Sequence, residues 1–336
     1  MHKKLIDFLC CPSCGEENFS VSIFSIMQDD IYEGTVTCQS CNLWFRVENG
    51  ILDFLPLDLR RNDRYDAFVK KHSLSYQPGV TKSAEDADQK NRQIDFFKKD
   101  YDQYEKCIVN MKFFKALNFL TFDKWVESNA ACFNKPVLEV GCGTGRQSIV
   151  LCQKGIQSIG IDLSEEMLIV GKRKSDTGNY SQFIDFIIAD AENPPLKDST
   201  FSACVMVSIL HHLPNPAYTV FQCSKKTVSG GLFYIIEPNK SPLRGIFDLS
   251  MRIWKLWDEE ASDDPLIKKD LLEHWLNDAE IQFDIHYSTY VPPHIFGFLK
   301  DGSCLSLLKT TDSFFNRISF IKKFGGIIIA EGTKKQ

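Results

Sequence analysis

The stretch 137–145 reads Val-Leu-Glu-Val-Gly-Cys-Gly-Thr-Gly. The short apolar run 136–140 predicts a buried parallel strand. It runs straight into three glycines at alternate positions, Gly141, Gly143 and Gly145, and a helical pattern follows over 146–153. Strand, glycine turn and helix make a nucleotide-binding start, because glycines let the backbone turn sharply and approach a ligand with no Cβ in the way. Alone, the glycine pattern is a weak signal. Three further features strengthen it. Glu139 lies two residues before the first glycine, Asp162 ends the next apolar run at 158–162, and Asp190-Ala191 follows a third run at 183–188.

From 136 onward the alternation is regular. Strands are expected at 136–140, 157–161, 183–188, 203–208 and 231–236, and helices at 145–154, 164–174 and 216–229. Such alternation implies an α/β fold, a mostly parallel doubly wound sheet with helices on both faces. Ligands in such sheets bind beyond the carboxyl ends of the strands. Glu139, Asp162, Asp190, Ser208 and Glu237 all sit at or near those ends. Before the sheet, 91–130 reads as helical, with Ile94, Phe97, Tyr101 and Tyr104 near helical spacing. After Glu237 the pattern changes. Helices are expected at 244–257 and about 265–278, around an acidic turn at 258–264. A strand at 281–290, an aromatic-rich helical stretch to 323 and a last strand at 325–331 follow.

Residues 1–56 read as a separate unit. Cys11-Pro-Ser-Cys14 and Cys38-Gln-Ser-Cys41 are separated by 23 residues, with strands expected at 19–27 and 31–37 between them. Two such knuckles complete a tetrahedral site of four thiolates, which suits structural Zn²⁺ in a zinc ribbon. The competing reading is a redox C-x-x-C pair or four unrelated thiols. Cys10 reads as a spectator, with a place in the site instead of Cys11 as the alternative. A metal supplies folding energy that so small a unit lacks. Residues 57–90 read as a connection. It carries a basic cluster (Arg60, Arg61, Arg64, Lys70, Lys71), a break at 77–79 and a polar stretch at 83–90. The cluster is a solvated surface or an RNA contact. The other eight of the twelve cysteines show no spacing logic and no secretory segment precedes them, which points to reduced thiols in a cytoplasmic protein. No apolar run approaches the roughly 18 residues needed to span a bilayer. With a net charge of −5 and both signs interspersed, no global field draws the chain to nucleic acid.

The glycine loop with Glu139, Asp162 and Asp190-Ala191 resembles the class I S-adenosylmethionine-dependent methyltransferases, especially the branch that includes the quinone-biosynthesis C-methyltransferases. The segment 43–56 after the second knuckle resembles the small zinc-ribbon proteins that activate methyltransferases, and similar ribbons are often fused ahead of methyltransferase domains. The resemblance implies a ribbon at 1–56, a linker at 57–90 and a methyltransferase domain at 91–336 with a lid-like insertion at 240–323. It implies seven strands, the last antiparallel. S-adenosylmethionine would meet Asp162 at its ribose diol and Asp190, Ala191, Leu163 and Met167 at its adenine. Gly141, Gly143, Gly145 and Glu139 would stand near its amino-acid end, and Ser208 ends the fourth strand. The structural alternative for Asp162 is a helix N-cap, a role for which Ser164 competes. A nicotinamide dinucleotide is the rival ligand, but it uses G-x-G-x-x-G, and here the third glycine comes one position early.

Methyl transfer needs orientation, exclusion of water, and a base where the acceptor loses a proton. His211, His212 and Glu237 are the candidates. Asn193-Pro-Pro195 precedes the fourth strand and lacks a following aromatic, so it is not the amine-directed loop it superficially matches. The acceptor reads as a small hydrophobic or aromatic molecule, with Phe247, Trp254, Trp257, Phe296, Phe298, Phe314 and Phe315 as core or lid residues. Methylation of RNA or a translation protein, and a non-catalytic donor-binding regulator, are the alternatives.

Overall fold

The computed structural model describes residues 1–56, 58–59, 62–75, 87–105, 109–242, 244–254, 256 and 266–336. Arg60 and Arg61 of the basic cluster, the break at 77–79, Cys107, Trp257 and the acidic turn 258–264 lie outside the described residues. The chain forms two compact units, residues 1–98 with 136–201, and residues 99–135 with 202–336.

In the first unit, alternating β-branched residues form the hairpin β1 (Phe19–Met27) and β2 (Asp30–Cys38). Gln28 and Asp29 turn it with φ of 50° and 69°, the left-handed pair that a two-residue hairpin turn requires. β3 (Trp44–Glu48) and β4 (Ile51–Asp53) continue the antiparallel ribbon. The fully buried runs give β5 (Val137–Val140), β6 (Ser158–Asp162) and β7 (Ile184–Ile188). These three are parallel in the order β7-β6-β5.

The ribbon is not set apart from them. β4 pairs in parallel with β7, Leu52 opposite Ile187 and Asp53 opposite Ile188. Leu9 bridges Leu196, and Lys197 N–H donates to Phe8 O at 2.9 Å, so the Asn-Pro-Pro loop lies against the ribbon's first turn. Ile51, Leu55 and Leu59 share one core cluster with Ile94, Cys142, Leu168 and Phe186. Arg46, only 4% exposed, joins Asp53 (3.1 Å) and Glu48 (2.6 Å) to Glu165 (3.0 Å) on the helix that follows β6. The compact unit therefore crosses the boundaries expected at 56 and 90, because strand pairing joins stretches far apart in sequence. Of the described basic cluster, Arg64 pairs with Glu165 at 3.3 Å and Lys71 with Glu33 at 2.6 Å.

The expected helical stretch is divided, its first helix beginning in the first unit and the later segments lying in the second. Helix Ala87–Tyr104 is followed by Lys112–Asn118, a π-turn at Phe119–Asp123 and Lys124–Ser128. Phe122 and Trp125 pack on Tyr234 with ring centroids 5.2 and 5.1 Å apart. β8 (Phe201–Val207), β9 (Thr227–Pro238), β10 (Ile281–Ser288) and β11 (Ile327–Lys334) lie in the order β8-β9-β11-β10. β11 is antiparallel to both neighbours, with Ile329 opposite Ile236 and His286. The expected seven strands are thus present as β5–β7 in the first unit and β8–β11 in the second. The insertion carries helices Arg244–Ile253, Lys269–Asp278, His294–Gly297 and Asp301–Phe315.

Candidate functional site

The glycine loop leaves β5 with Gly141, Gly143 and Gly145 at φ of 66°, 52° and 72°. These are left-handed conformations that side-chain-bearing residues rarely adopt. A Cβ on Gly145 would stand 2.8 Å from the Phe186 ring, so this position is fixed by packing as well. Glu139 is buried and staples the loop. Its Oε2 accepts from Ser148 N at 2.8 Å and from Ser148 Oγ, tying strand β5 to the first turn of helix Arg146–Gln153.

Burial pushes the Glu139 carboxyl up to about 7, against the pull of the Ser148 hydrogen bonds. A carboxyl raised on folding favours the folded state at acid pH, and that contribution is lost as pH rises from the ordinary glutamate range to about 7. Glu139→Gln keeps an acceptor for Ser148 and removes the ionisation. Its stability relative to the parent should therefore rise between pH 5 and pH 8, by up to about 3 kcal/mol. Denaturant unfolding at the two pH values checks this. A difference that does not change with pH would show that Glu139 ionises no harder when folded.

Asp162 sits where β6 ends. Its Oδ2 accepts from Gly143 N at 2.8 Å and its Oδ1 from Ser164 N at 2.8 Å. Burial raises its pKa while those two N–H groups lower it. The helix cap is Ser164, whose Oγ accepts from Met167 N at 3.3 Å, so Asp162 is not spent on that role. A carboxylate has about four acceptor positions. Gly143, Ser164 and, more weakly, Leu163 N–H groups use part of this capacity on Asp162, and the rest is open to a ribose diol. Leu163 is half-buried, while Met167 and Ala191 are buried. The left-handed glycines, the spare acceptors of Asp162 and these apolar side chains fit an adenosyl group.

Asp190 is engaged from an unexpected direction. The Lys90 ammonium, 1% exposed, pairs with Asp190 Oδ2 at 2.7 Å and with Glu192 Oε2. Asp190 Oδ1 accepts from Glu192 N at 3.0 Å. The sequence reading placed Lys90 in a polar stretch and missed it. A signal existed: Lys90, Ile94, Phe97 and Tyr101 follow one helical stripe, so a lysine there falls on the inward face. A buried lysine is tolerated only with a partner, and here it has two.

In the second unit, Ser208 follows β8 with φ of 52°, and its N–H donates to Ile236 O at 2.8 Å. The turn Leu210–His212 comes next. Glu237 is fully buried. Its Oε1 accepts from Ile209 N (2.9 Å) and Leu210 N (2.7 Å), and its Oε2 meets His211 Nδ1 at 2.6 Å. The His212 ring lies 3.9 Å from that of His211. His211 and Glu237, both marked in the sequence, are therefore one hydrogen-bonded pair.

The aromatic residues of the insertion separate. Phe296 is buried against Phe113 at 5.1 Å and is core, whereas Phe298 and Phe314 are exposed. Phe315 packs on Tyr290 at 4.9 Å.

Cys11, Cys14, Cys38 and Cys41 converge. All four Sγ atoms lie within 4.8 Å of one another, with Cys11–Cys41 at 3.7 Å and Cys14–Cys38 at 3.6 Å. A tetrahedron of 2.3 Å Zn–S bonds has edges of about 3.8 Å. The four thiols thus fit a tetrahedral zinc site. Each knuckle is a closed turn, Gly15 N–H on Cys11 O at 2.9 Å and Asn42 N–H on Cys38 O at 3.0 Å. Cys10 instead turns its thiol to Gly15 O at 3.2 Å.

Residues 138–235 match the family model of a methyltransferase domain, and residues 2–50 that of Trm112p-like proteins. Over 126 residues the chain is 30% identical to the ubiquinone biosynthesis O-methyltransferase of Azoarcus sp. (strain BH72), covering 37% of this chain and 53% of that protein. The protein of the same name in Pseudomonas paraeruginosa is 28% identical over 174 residues, 50% of this chain and 74% of its own length. The chain spans about half the length of the first of these relatives. Among solved structures, the magnesium protoporphyrin IX methyltransferase of Synechocystis PCC 6803 with bound SAH superposes with a TM-score of 0.52 at 14% identity. The match covers 72% of this chain and 98% of that one, and it shows the class I methyltransferase fold.

Proposed function

We propose that this chain, which joins a Trm112p-like zinc ribbon to a methyltransferase domain, transfers the methyl group of S-adenosylmethionine to a hydroxyl of a small hydrophobic or aromatic molecule. The observation that carries this reading is His211 held by buried Glu237 at 2.6 Å. A carboxylate only accepts, so His211 Nδ1 carries the proton and Nε2 keeps its lone pair, the form a general base needs. An acceptor hydroxyl must lose its proton as its oxygen becomes nucleophilic, and Nε2 takes it. Bound S-adenosylmethionine supplies an electrophilic methyl on a sulfonium. On the donor side we assign Asp162 to the ribose, Gly141, Gly143 and Gly145 to close backbone approach, and Leu163, Met167 and Ala191 to the adenine. Glu139 holds the loop, Lys90 orients Asp190, and Ser208 sets the turn before His211. By role, we divide the chain at 56 and 90, with 240–323 shaping acceptor choice. The O-methyltransferase relatives support a hydroxyl acceptor. The internal pairing of Arg64 and Lys71 weighs against an RNA contact there. A reducing cytoplasm suits the thiols of the ribbon. No helix among the described residues is long and apolar enough to cross a membrane.

Incubation with methyl-labelled S-adenosylmethionine and fractionated cell extract tests the reading. Label is expected in lipid or small-molecule fractions, at a rate nearly independent of salt. Label in RNA, with binding that weakens steeply with salt, would replace it. Asp162→Ala is expected to weaken binding of S-adenosylhomocysteine by about 1–3 kcal/mol, the cost of stranding polar groups. Calorimetry on parent and variant measures this, and NADH should bind to neither. Unchanged affinity in the variant would remove Asp162 from the donor site.

A further inference from the structure

His294 opens the helix His294–Gly297 and is 9% exposed. Its Nε2 lies 2.7 Å from Trp254 O. A carbonyl only accepts, so Nε2 carries the proton and Nδ1 is a bare acceptor. That Nδ1 is buried and has no hydrogen-bond partner among the described residues. Buried acceptors without partners are uncommon and costly. Two aromatic rings flank the imidazole. Phe247 and Trp254 stand 6.3 and 6.5 Å from the imidazole, and Phe298 meets Trp254 edge-on at 5.1 Å. Trp254 is 53% exposed and Phe298 71% exposed, so these rings offer open faces next to a closed polar atom. Arg244 lies over the Phe247 ring at 4.7 Å and holds it in place.

We propose that the cluster of Phe247, Trp254, His294 and Phe298 binds an aromatic ring bearing a hydrogen-bond donor, with His294 Nδ1 accepting from that donor. The open ring faces supply apolar contact, and the orphan nitrogen supplies the selection. A ligand with a hydroxyl satisfies Nδ1, whereas one with an ether in that place leaves it stranded. Identifying this ligand with the methyl acceptor rests on the function proposed above, but the binding itself does not. The donor recognised here is a second polar group, distinct in role from the hydroxyl whose proton goes to His211.

Calorimetry with 2-naphthol and its methyl ether, 2-methoxynaphthalene, tests the site without requiring turnover. The parent should bind the naphthol about tenfold tighter than the ether. His294→Gln keeps an N–H for Trp254 O but carries its acceptor oxygen beside that nitrogen and none at the Nδ1 position, and an unchanged thermal melt checks that the fold is retained. The variant should abolish the preference while leaving the ether within about twofold of the parent. Trp254→Ala should weaken both probes together. Equal binding of the two probes by the parent, binding of neither, or a preference that survives His294→Gln overturns the proposal. Its failure is separable from that of the proposed function. Absence of the preference in the parent, with methyl transfer intact, rejects this site alone. Absence of transfer with the preference intact rejects the enzyme reading and leaves the site standing.

Discussion

His211→Ala should lower methyl transfer by about 10²–10⁴-fold while leaving affinity for S-adenosylhomocysteine within about twofold. The expectation rests on protonation state as much as position. Glu237 is fully buried and receives two backbone N–H groups on one oxygen and His211 Nδ1 on the other. Fully buried, with three of its roughly four acceptor positions taken, it is closed to an acceptor hydroxyl, and the role proposed for it is to orient the imidazole. Glu237→Gln should therefore cost nearly as much as removing the histidine. An amide at that place can donate to Nδ1 and hold the opposite tautomer, putting the proton on the nitrogen that must receive one. The loss should fall on kcat with little change in KM, because a base acts in the transition state and hardly at all in binding. Added imidazole should restore part of the His211→Ala activity. His212→Ala, which removes a neighbouring ring tilted against His211, should be milder. If His211→Ala keeps more than a tenth of parental kcat, the acceptor is not activated by this pair.

Cys38→Ser should abolish stoichiometric zinc and, with it, donor binding. A structural zinc in a small ribbon is worth about 10–16 kcal/mol in isolated zinc-finger peptides. Loss of even part of that is expected to lower Tm by more than about 10 °C, at about 2–4 °C per kcal/mol for a unit of this size. From sequence, the ribbon reads as separable, so that loosening it should spare the sheet. The fold predicts that the damage spreads. Cys38 ends β2, β2 pairs with β3, and Arg46 of β3 reaches Glu165, three residues beyond Asp162. β4 pairs with β7, whose end precedes Asp190. Metal analysis with calorimetry on S-adenosylhomocysteine measures both effects. Zinc lost with donor affinity unchanged would show that the ribbon is energetically separate.

What could be read from the sequence was local. The glycine loop declares itself because left-handed backbone needs glycine, and the two C-x-x-C knuckles because tetrahedral thiolate sites need that spacing. Strands β5 to β9 were placed to within a few residues because buried parallel strands are short apolar runs. What escaped was non-local. Nothing near Ile51 announces a partner at Ile187, and nothing near Lys90 announces Asp190 a hundred residues on. His211 and Glu237 were each marked as candidate bases, but only the fold joins them in one hydrogen-bonded pair. The stretch 91–130 reads as helical throughout, and apolar spacing alone marks neither the end of helix Ala87–Tyr104, nor the start of Lys112–Asn118, nor the π-turn at Phe119–Asp123.

The clamp of Lys90 on Asp190 and Glu192 bears on how this architecture can be cut and exchanged. The stretch 138–235 carries the recognisable signature of the fold, and it would look like a natural module to transplant between relatives. Taken without helix Ala87–Tyr104, it would carry two inward-facing carboxylates with no cation, a deficit that neither the glycine loop nor Asp162 can make good. A chimera that brings the helix along keeps a cation between the two carboxylates, whereas one that swaps in a relative's helix without the lysine does not. The unit of inheritance is thus the helix together with the acidic strand end. A change at Lys90 should persist in a lineage only alongside compensating changes at Asp190 and Glu192.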